Sequence, residues 1–141
     1  MSNFPDVRRP VLCYEGHVEN VGWQGPVFEG KIAGCPGKNL KLEALRLWYQ
    51  GPGSIITEVH VENLGWLPGV STGALAGTTG RNFRIEALKC QIVNCPGVHI
   101  EYQGFVQKKG WTQWVKDGEV CGTSGEALRL EGIRFRLSFD N

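Results

Sequence analysis

Three runs along the chain alternate apolar and polar side chains with the period of a half-buried strand: VLCYEGHV at 11–18, SIITEVHV at 54–61 and HIEYQGFV at 99–106. In the second, Thr57, Val59 and Val61 oppose Ile56, Glu58 and His60. A second long run follows each: LKLEALRL at 40–47, FRIEALKC at 83–90 and LRLEGIRF at 128–135. In the last of these Leu128 and Leu130 share one face, while Ile133, Phe135 and Leu137 share a face offset by one residue. The phase slips at Glu131 and Gly132, and it slips likewise at Glu43 with Ala44 and at Glu86 with Ala87, which predicts a β-bulge in each closing strand.

The runs recur because the chain is a threefold internal repeat. HVENVGW at 17–23 returns as HVENLGW at 60–66 and, worn down, as FVQKKGW at 105–111. Aligned on Trp23, Trp66 and Trp111, the units match in Val27, Val70 and Val115, in Gly30, Gly73 and Gly118, and in Gly34, Gly77 and Gly122. Repeats over 11–53, 54–97 and 98–141 make one domain of residues 1–141, because a unit of about 45 residues is too small to hold a core alone. Between its long strands each unit has room for two short ones, clearest in TQWV, KDG and EVCG, which read as a hairpin with glycine in the turn. QGPG and NCPG are tight connections to the next unit, and no segment has helical periodicity. Four strands per unit predict an all-β, pseudo-threefold closed architecture. A β-trefoil-like barrel of six long strands is expected, with a β-prism of three sheets as the alternative.

Charge narrows the function. Fifteen basic and 14 acidic residues, net +1, are scattered along the 141 residues, without the basic stripe of a nucleic-acid binder. No apolar stretch reaches signal-peptide or membrane-span length, so the chain is expected to be made in the cytoplasm, released without a signal peptide and not inserted in a membrane. Cys13, Cys35, Cys90, Cys95 and Cys121 are odd in number and irregular in spacing, which predicts reduced packing cysteines and neither a metal site nor a cofactor.

The ordered pattern of an extended strand, a GW pair, valine four residues on, an apolar-Ala-Gly step and L-(K/R)-(L/I)-E-(A/G)-(L/I) closely resembles the clostridial hydrophobic W repeat over residues 11–137. The third copy departs from it, with Phe105 for the histidine and Gln107, Lys108 and Lys109 in the polar segment. The resemblance implies a non-catalytic surface-recognition module, for which adhesion or carbohydrate binding is the usual suggestion. A stand-alone module of this kind looks like a lectin with two or three repeat-related sites for glycans or glycoconjugates. The alternative is a protein-binding or self-assembly module, a homo-oligomer among its forms, using the same repeated surface.

Candidate carbohydrate-binding residues follow. Trp23, Trp66 and Trp111 read either as plugs of the shared core or as faces on which a pyranose stacks. Trp114 has no tryptophan counterpart in the other units, so the core does not require it and it reads as an exposed aromatic. Glu19 with Asn20 and Glu62 with Asn63 set a carboxylate beside an amide at a strand end, a pairing suited to sugar hydroxyls, although a turn would also use Asn. Glu43, Glu86 and Glu131 read as carboxylates accepting backbone N–H groups freed by the bulge, and His17 and His60, matched by Phe105, read as packing. No catalytic residue is assigned, because the identities are concentrated in what is symmetric.

Overall fold

The computed structural model describes residues 9–141, and among them there are strands and turns but no helix. In unit one the strands are β1 (Val11–Val18), β2 (Gly22–Trp23), β3 (Val27–Phe28), β4 (Ala33–Gly34) and β5 (Leu42–Gln50). Unit two supplies β6 (Ser54–Val61), β7 (Gly65–Trp66), β8 (Ala76–Gly77) and β9 (Ile85–Val93). Unit three supplies β10 (Val98–Val106), β11 (Gly110–Trp111), β12 (Val115–Lys116), β13 (Cys121–Gly122) and β14 (Leu130–Phe139).

These form three antiparallel sheets, none closed, each built on the two long strands of one unit: β1 with β5, β6 with β9, β10 with β14. The expected six-stranded barrel would need each closing strand to bond to the next unit's opening strand. Instead, that edge is already occupied. β8 of unit two pairs with β5 of unit one, β13 of unit three with β9 of unit two, and β4 of unit one with β14 of unit three. Further along the same edges Gly73 N–H donates to Leu47 O, Gly118 N–H to Cys90 O and Gly30 N–H to Phe135 O, at 2.6, 2.8 and 2.9 Å. Every closing strand is thus covered by a loop from another unit, which satisfies edge groups that would otherwise invite aggregation.

This exchange also overturns the expected hairpin in the middle of each unit. In unit three β12 pairs with β10 of its own unit, at Glu101 and Tyr102, while β13 crosses to the neighbouring sheet. Units one and three therefore have five strands each where four were expected. Unit two keeps the equivalent of β3 only as the single bridge Thr57–Val70.

The bulge is where the phase slip puts it. His17 faces Ala44 and Val18 faces Leu42, skipping Glu43; the register skips Glu86 and Glu131 in the same way. At each bulge the crossing strand makes its closest approach to a neighbour. A Cβ on Gly77 would lie 2.5 Å from Glu43 O, on Gly122 2.5 Å from Glu86 O, and on Gly34 2.4 Å from Glu131 O. All three have φ near +100°, so glycine is required there on two counts.

The shared core is layered by equivalent positions. Leu12, Ile55 and Ile100 form one set, and Val18, Val61 and Val106 another, all essentially without exposure. In the middle layer Tyr14, Thr57 and Tyr102 correspond. The two tyrosines pack on Phe135, edge-on at 4.8 Å for Tyr14 and tilted at 5.9 Å for Tyr102. Each phenol also ties its own unit to its neighbour. Tyr14 Oη accepts from Phe135 N–H at 3.1 Å and donates to Lys31 O; Tyr102 Oη accepts from Cys90 N–H at 3.1 Å and donates to Glu119 O. Burial pushes the Tyr14 phenol up to about 12. Replacing Tyr102 by Phe leaves a buried N–H and a carbonyl without that partner, so denaturant unfolding should register a loss of about 1–3 kcal/mol. Tyr102→Phe with an unchanged transition would remove these hydrogen bonds from the account of stability. All five cysteines are free, and burial raises the Cys90 thiol to about 12 and the Cys121 thiol to about 11, as packing side chains require.

Candidate functional site

On the outer face of each sheet the same group is assembled. The turn after the opening strand is closed by Val21 N–H to Val18 O, Leu64 N–H to Val61 O and Lys109 N–H to Val106 O, each 3.0 Å. It lays the Gly-Trp pair back beside that strand, with Trp23 opposite His17, Trp66 opposite His60 and Trp111 opposite Phe105. The ring pairs meet edge-on, at 5.1, 5.4 and 5.6 Å. A cation then lies over each indole: Arg46 over Trp23 at 3.8 Å, Lys89 over Trp66 at 4.4 Å and Arg134 over Trp111 at 4.9 Å. The tryptophans are outside the core. Trp66 is 36% exposed and the other two are half-buried, so the core-plug reading gives way to a surface one.

Each cation is held by the residue directly opposite it in the ladder. Arg46 pairs with Glu15, Lys89 Nζ lies 3.5 Å from Glu58, and Arg134 Nε donates to Gln103 Oε1 at 2.6 Å. Sequence reasoning missed these six residues because, inside strands, they read as an ordinary solvated face. The signal was nonetheless present: a basic residue lies 23 positions after every repeat tryptophan, and Glu, Glu and Gln lie eight before.

The remaining predicted residues are brought near the platforms. Glu19 accepts from Lys41 N–H at 3.1 Å and Glu62 from Arg84 N–H at 3.2 Å, with Gln107 taking Arg129 N–H in unit three. Asn20 and Asn63 hold φ values of 64° and 67°, and Lys108 holds 70°; amide side chains tolerate this left-handed turn conformation well. Trp114 packs between Arg136, at 3.8 Å, and Arg134, at 5.4 Å. The bulge carboxylates divide. None of the three takes an N–H freed by its own bulge: Glu131 accepts from Gly37 N–H of unit one at 2.9 Å, while Glu43 and Glu86 bond to Nδ1 of His17 and His60, at 3.0 and 2.9 Å. The histidine is therefore a partner as well as packing, and Phe105 leaves Glu131 free to take a backbone group. Thr78 and Thr123, in the loops that cross to those bulges, bury hydroxyls that have no partner among the described residues.

His99, two residues after the NCPG connection, bridges two aspartates: Nδ1 to Asp117 at 2.6 Å and Nε2 to Asp140 at 2.9 Å. Hydrogen bonds to Asp117 and then Asp140 hold its charged form and raise its pKa above 6.5. The folded pKa exceeds the unfolded one, so the clasp contributes fully below the unfolded value and its contribution is lost as pH rises through the folded one. Thermal melts should show a downward step in stability above about pH 6.5 that His99→Gln lacks. Identical pH profiles for the two proteins would refute this.

A model of the clostridial hydrophobic W family matches the chain three times, at residues 17–51, 60–94 and 105–138, so each match takes in one tryptophan, its cation and the bulge between them. No curated protein and no solved structure matches the chain.

Proposed function

We propose that this chain, which belongs to the clostridial hydrophobic W family, is a non-catalytic carbohydrate-binding protein that engages multivalent glycans through repeat-related platforms. The observation that carries the reading is the threefold recurrence of an indole on an outer sheet face with a cation over it and a hydrogen-bonding side chain opposite the cation. An indole face attracts the C–H face of a pyranose, while guanidinium, ammonium and carboxylate groups meet hydroxyls as donors and acceptors. Of the two arrangements expected from the sequence, three open sheets suit the prism better than the barrel, and a prism would aim the platforms outward about one axis.

Glycan arrays over a range of protein concentrations test the reading. Binding should depend steeply on glycan density and be displaced by free sugar, because weak single sites gain from simultaneous engagement. A folded protein silent on the whole array would end the proposal. The protein-docking alternative draws support from Ile32, Leu75 and Val120, apolar at equivalent positions and 42%, 44% and 50% exposed. Light scattering that shows self-association unaffected by sugar would favour it.

A further inference from the structure

Unit three departs from the platform pattern by one charge. Gln103 stands where Glu15 and Glu58 stand in the other units, and it still holds the cation through the 2.6 Å bond from Arg134 Nε. The amide reproduces the hydrogen bond but not the carboxylate charge, so the charge of Arg134 is not cancelled by the group opposite it. This guanidinium lies 4.9 Å from the Trp111 ring centroid and 5.4 Å from that of Trp114. Arg136, two residues along the same strand face, lies 3.8 Å over Trp114. Rings and cations therefore alternate in a row of four, one cation longer than the Trp23, Arg46 and Trp48 row of unit one, where Arg46 lies 5.7 Å from the Trp48 ring, and unit two has no second ring.

Beside the row is a cleft of about 370 Å³ bounded by Trp114, Arg136, Glu101 and Lys116. Its carboxylates are already engaged: Glu101 takes Arg136 Nε at 2.6 Å and Glu119 takes Lys116 N–H at 2.7 Å. The corresponding cleft of unit one, about 470 Å³, is walled by Trp48, Phe28 and Val11, and that of unit two, about 310 Å³, by Glu58, Lys89 and Asp117. One position in the fold has thus been given three chemistries. Arg134, Arg136 and Lys116 outweigh Glu101 and Glu119 on the third face, whereas on the second Lys89 is matched by Glu58 and Asp117 by His99.

Resting on the carbohydrate reading, the geometry points to unit three as a subsite for an acidic saccharide, one bearing a carboxylate or a sulfate. The anion pairs with Arg134 and Arg136 while the sugar ring lies against Trp114. Two paired guanidinium groups suit either oxyanion, and the aromatic row selects for a ring attached to it.

Calorimetry on the full chain tests this with methyl glucuronide and glucose 6-sulfate as acidic probes, methyl glucoside as the neutral one and sodium sulfate as the bare anion. At least one acidic sugar should bind more tightly than methyl glucoside, and whichever does identifies carboxylate or sulfate as the source. Gln103→Glu restores the missing carboxylate and should weaken that binding about tenfold, the scale of one hydrogen-bonded charge. Neutral-sugar binding at units one and two should be untouched. Trp114→Ala should lower acidic-sugar affinity while leaving the thermal transition in place. Acidic sugars that bind no better than neutral ones, or Gln103→Glu without effect, would overturn the inference while leaving the platforms standing. Sodium sulfate binding as tightly as the acidic sugars would also overturn it, as an anion site with no sugar in it. A folded protein that binds none of the sugars would overturn the inference and the carbohydrate reading together.

Discussion

Gly77→Ala is expected to cost at least about 3 kcal/mol of stability, a large share of the total that a domain of this size possesses. The added Cβ would lie 2.5 Å from the carbonyl oxygen of Glu43 and 3.0 Å from Ala44 Cα, both backbone atoms. No rotamer change can relieve a contact with backbone, so either β8 must leave β5 or the bulge must reshape. The φ of +106° adds strain that alanine does not tolerate. Gly80 serves as the control: its φ is +74°, but a Cβ there would meet nothing within 4 Å, so alanine should cost only about 1 kcal/mol of backbone strain. Urea unfolding of both variants reads the comparison. Equal losses at the two positions would show that the close approach at the bulge is not what holds the sheets together.

Simultaneous replacement of Trp23, Trp66 and Trp111 by alanine should abolish retention on a glycan-coated surface. Single replacements should remove one platform each and reduce avidity by an order of magnitude or more. The disproportion comes from multivalency: a site near ~1 mM contributes about −4 kcal/mol, and linked sites multiply. Affinity for a monovalent sugar at the surviving platforms should barely change, which calorimetric stoichiometry can verify. These indoles lie outside the buried core, so the single variants should keep a cooperative thermal transition. A triple variant that stays folded and is still retained in full would place the binding site elsewhere.

The bulge was legible because a strand with one buried face writes its register into its apolar positions. A slip of one residue between Leu130 and Ile133 has only one physical meaning. The exchange of β4, β8 and β13 was not legible. A two-residue strand has no period, and Ala33–Gly34 carries no mark of whether it pairs at home or with β14, more than ninety residues along the chain. Tryptophan was ambiguous in itself, since large aromatics serve cores and surfaces alike, and the cation that lies over each indole comes from another strand. Asn20 and Asn63 read as sugar-binding or as turn residues alike, and their φ values of 64° and 67° show that they hold the turn.

The crossing strands have a consequence for the number of units. Each unit gives one short strand away and receives another, and the giving runs from unit one to three, three to two and two to one. A chain cut after residue 97 would hold one closing strand with its edge bare and one Ala-Gly strand with nowhere to dock. Those two defects fit each other, so the fragment is matched to a second copy of itself better than to solitude. A lone unit has the same pair of complementary loose ends. A gene encoding a single unit could therefore have assembled three separate chains into this arrangement before duplication joined them, with covalent linkage replacing concentration as the condition for folding.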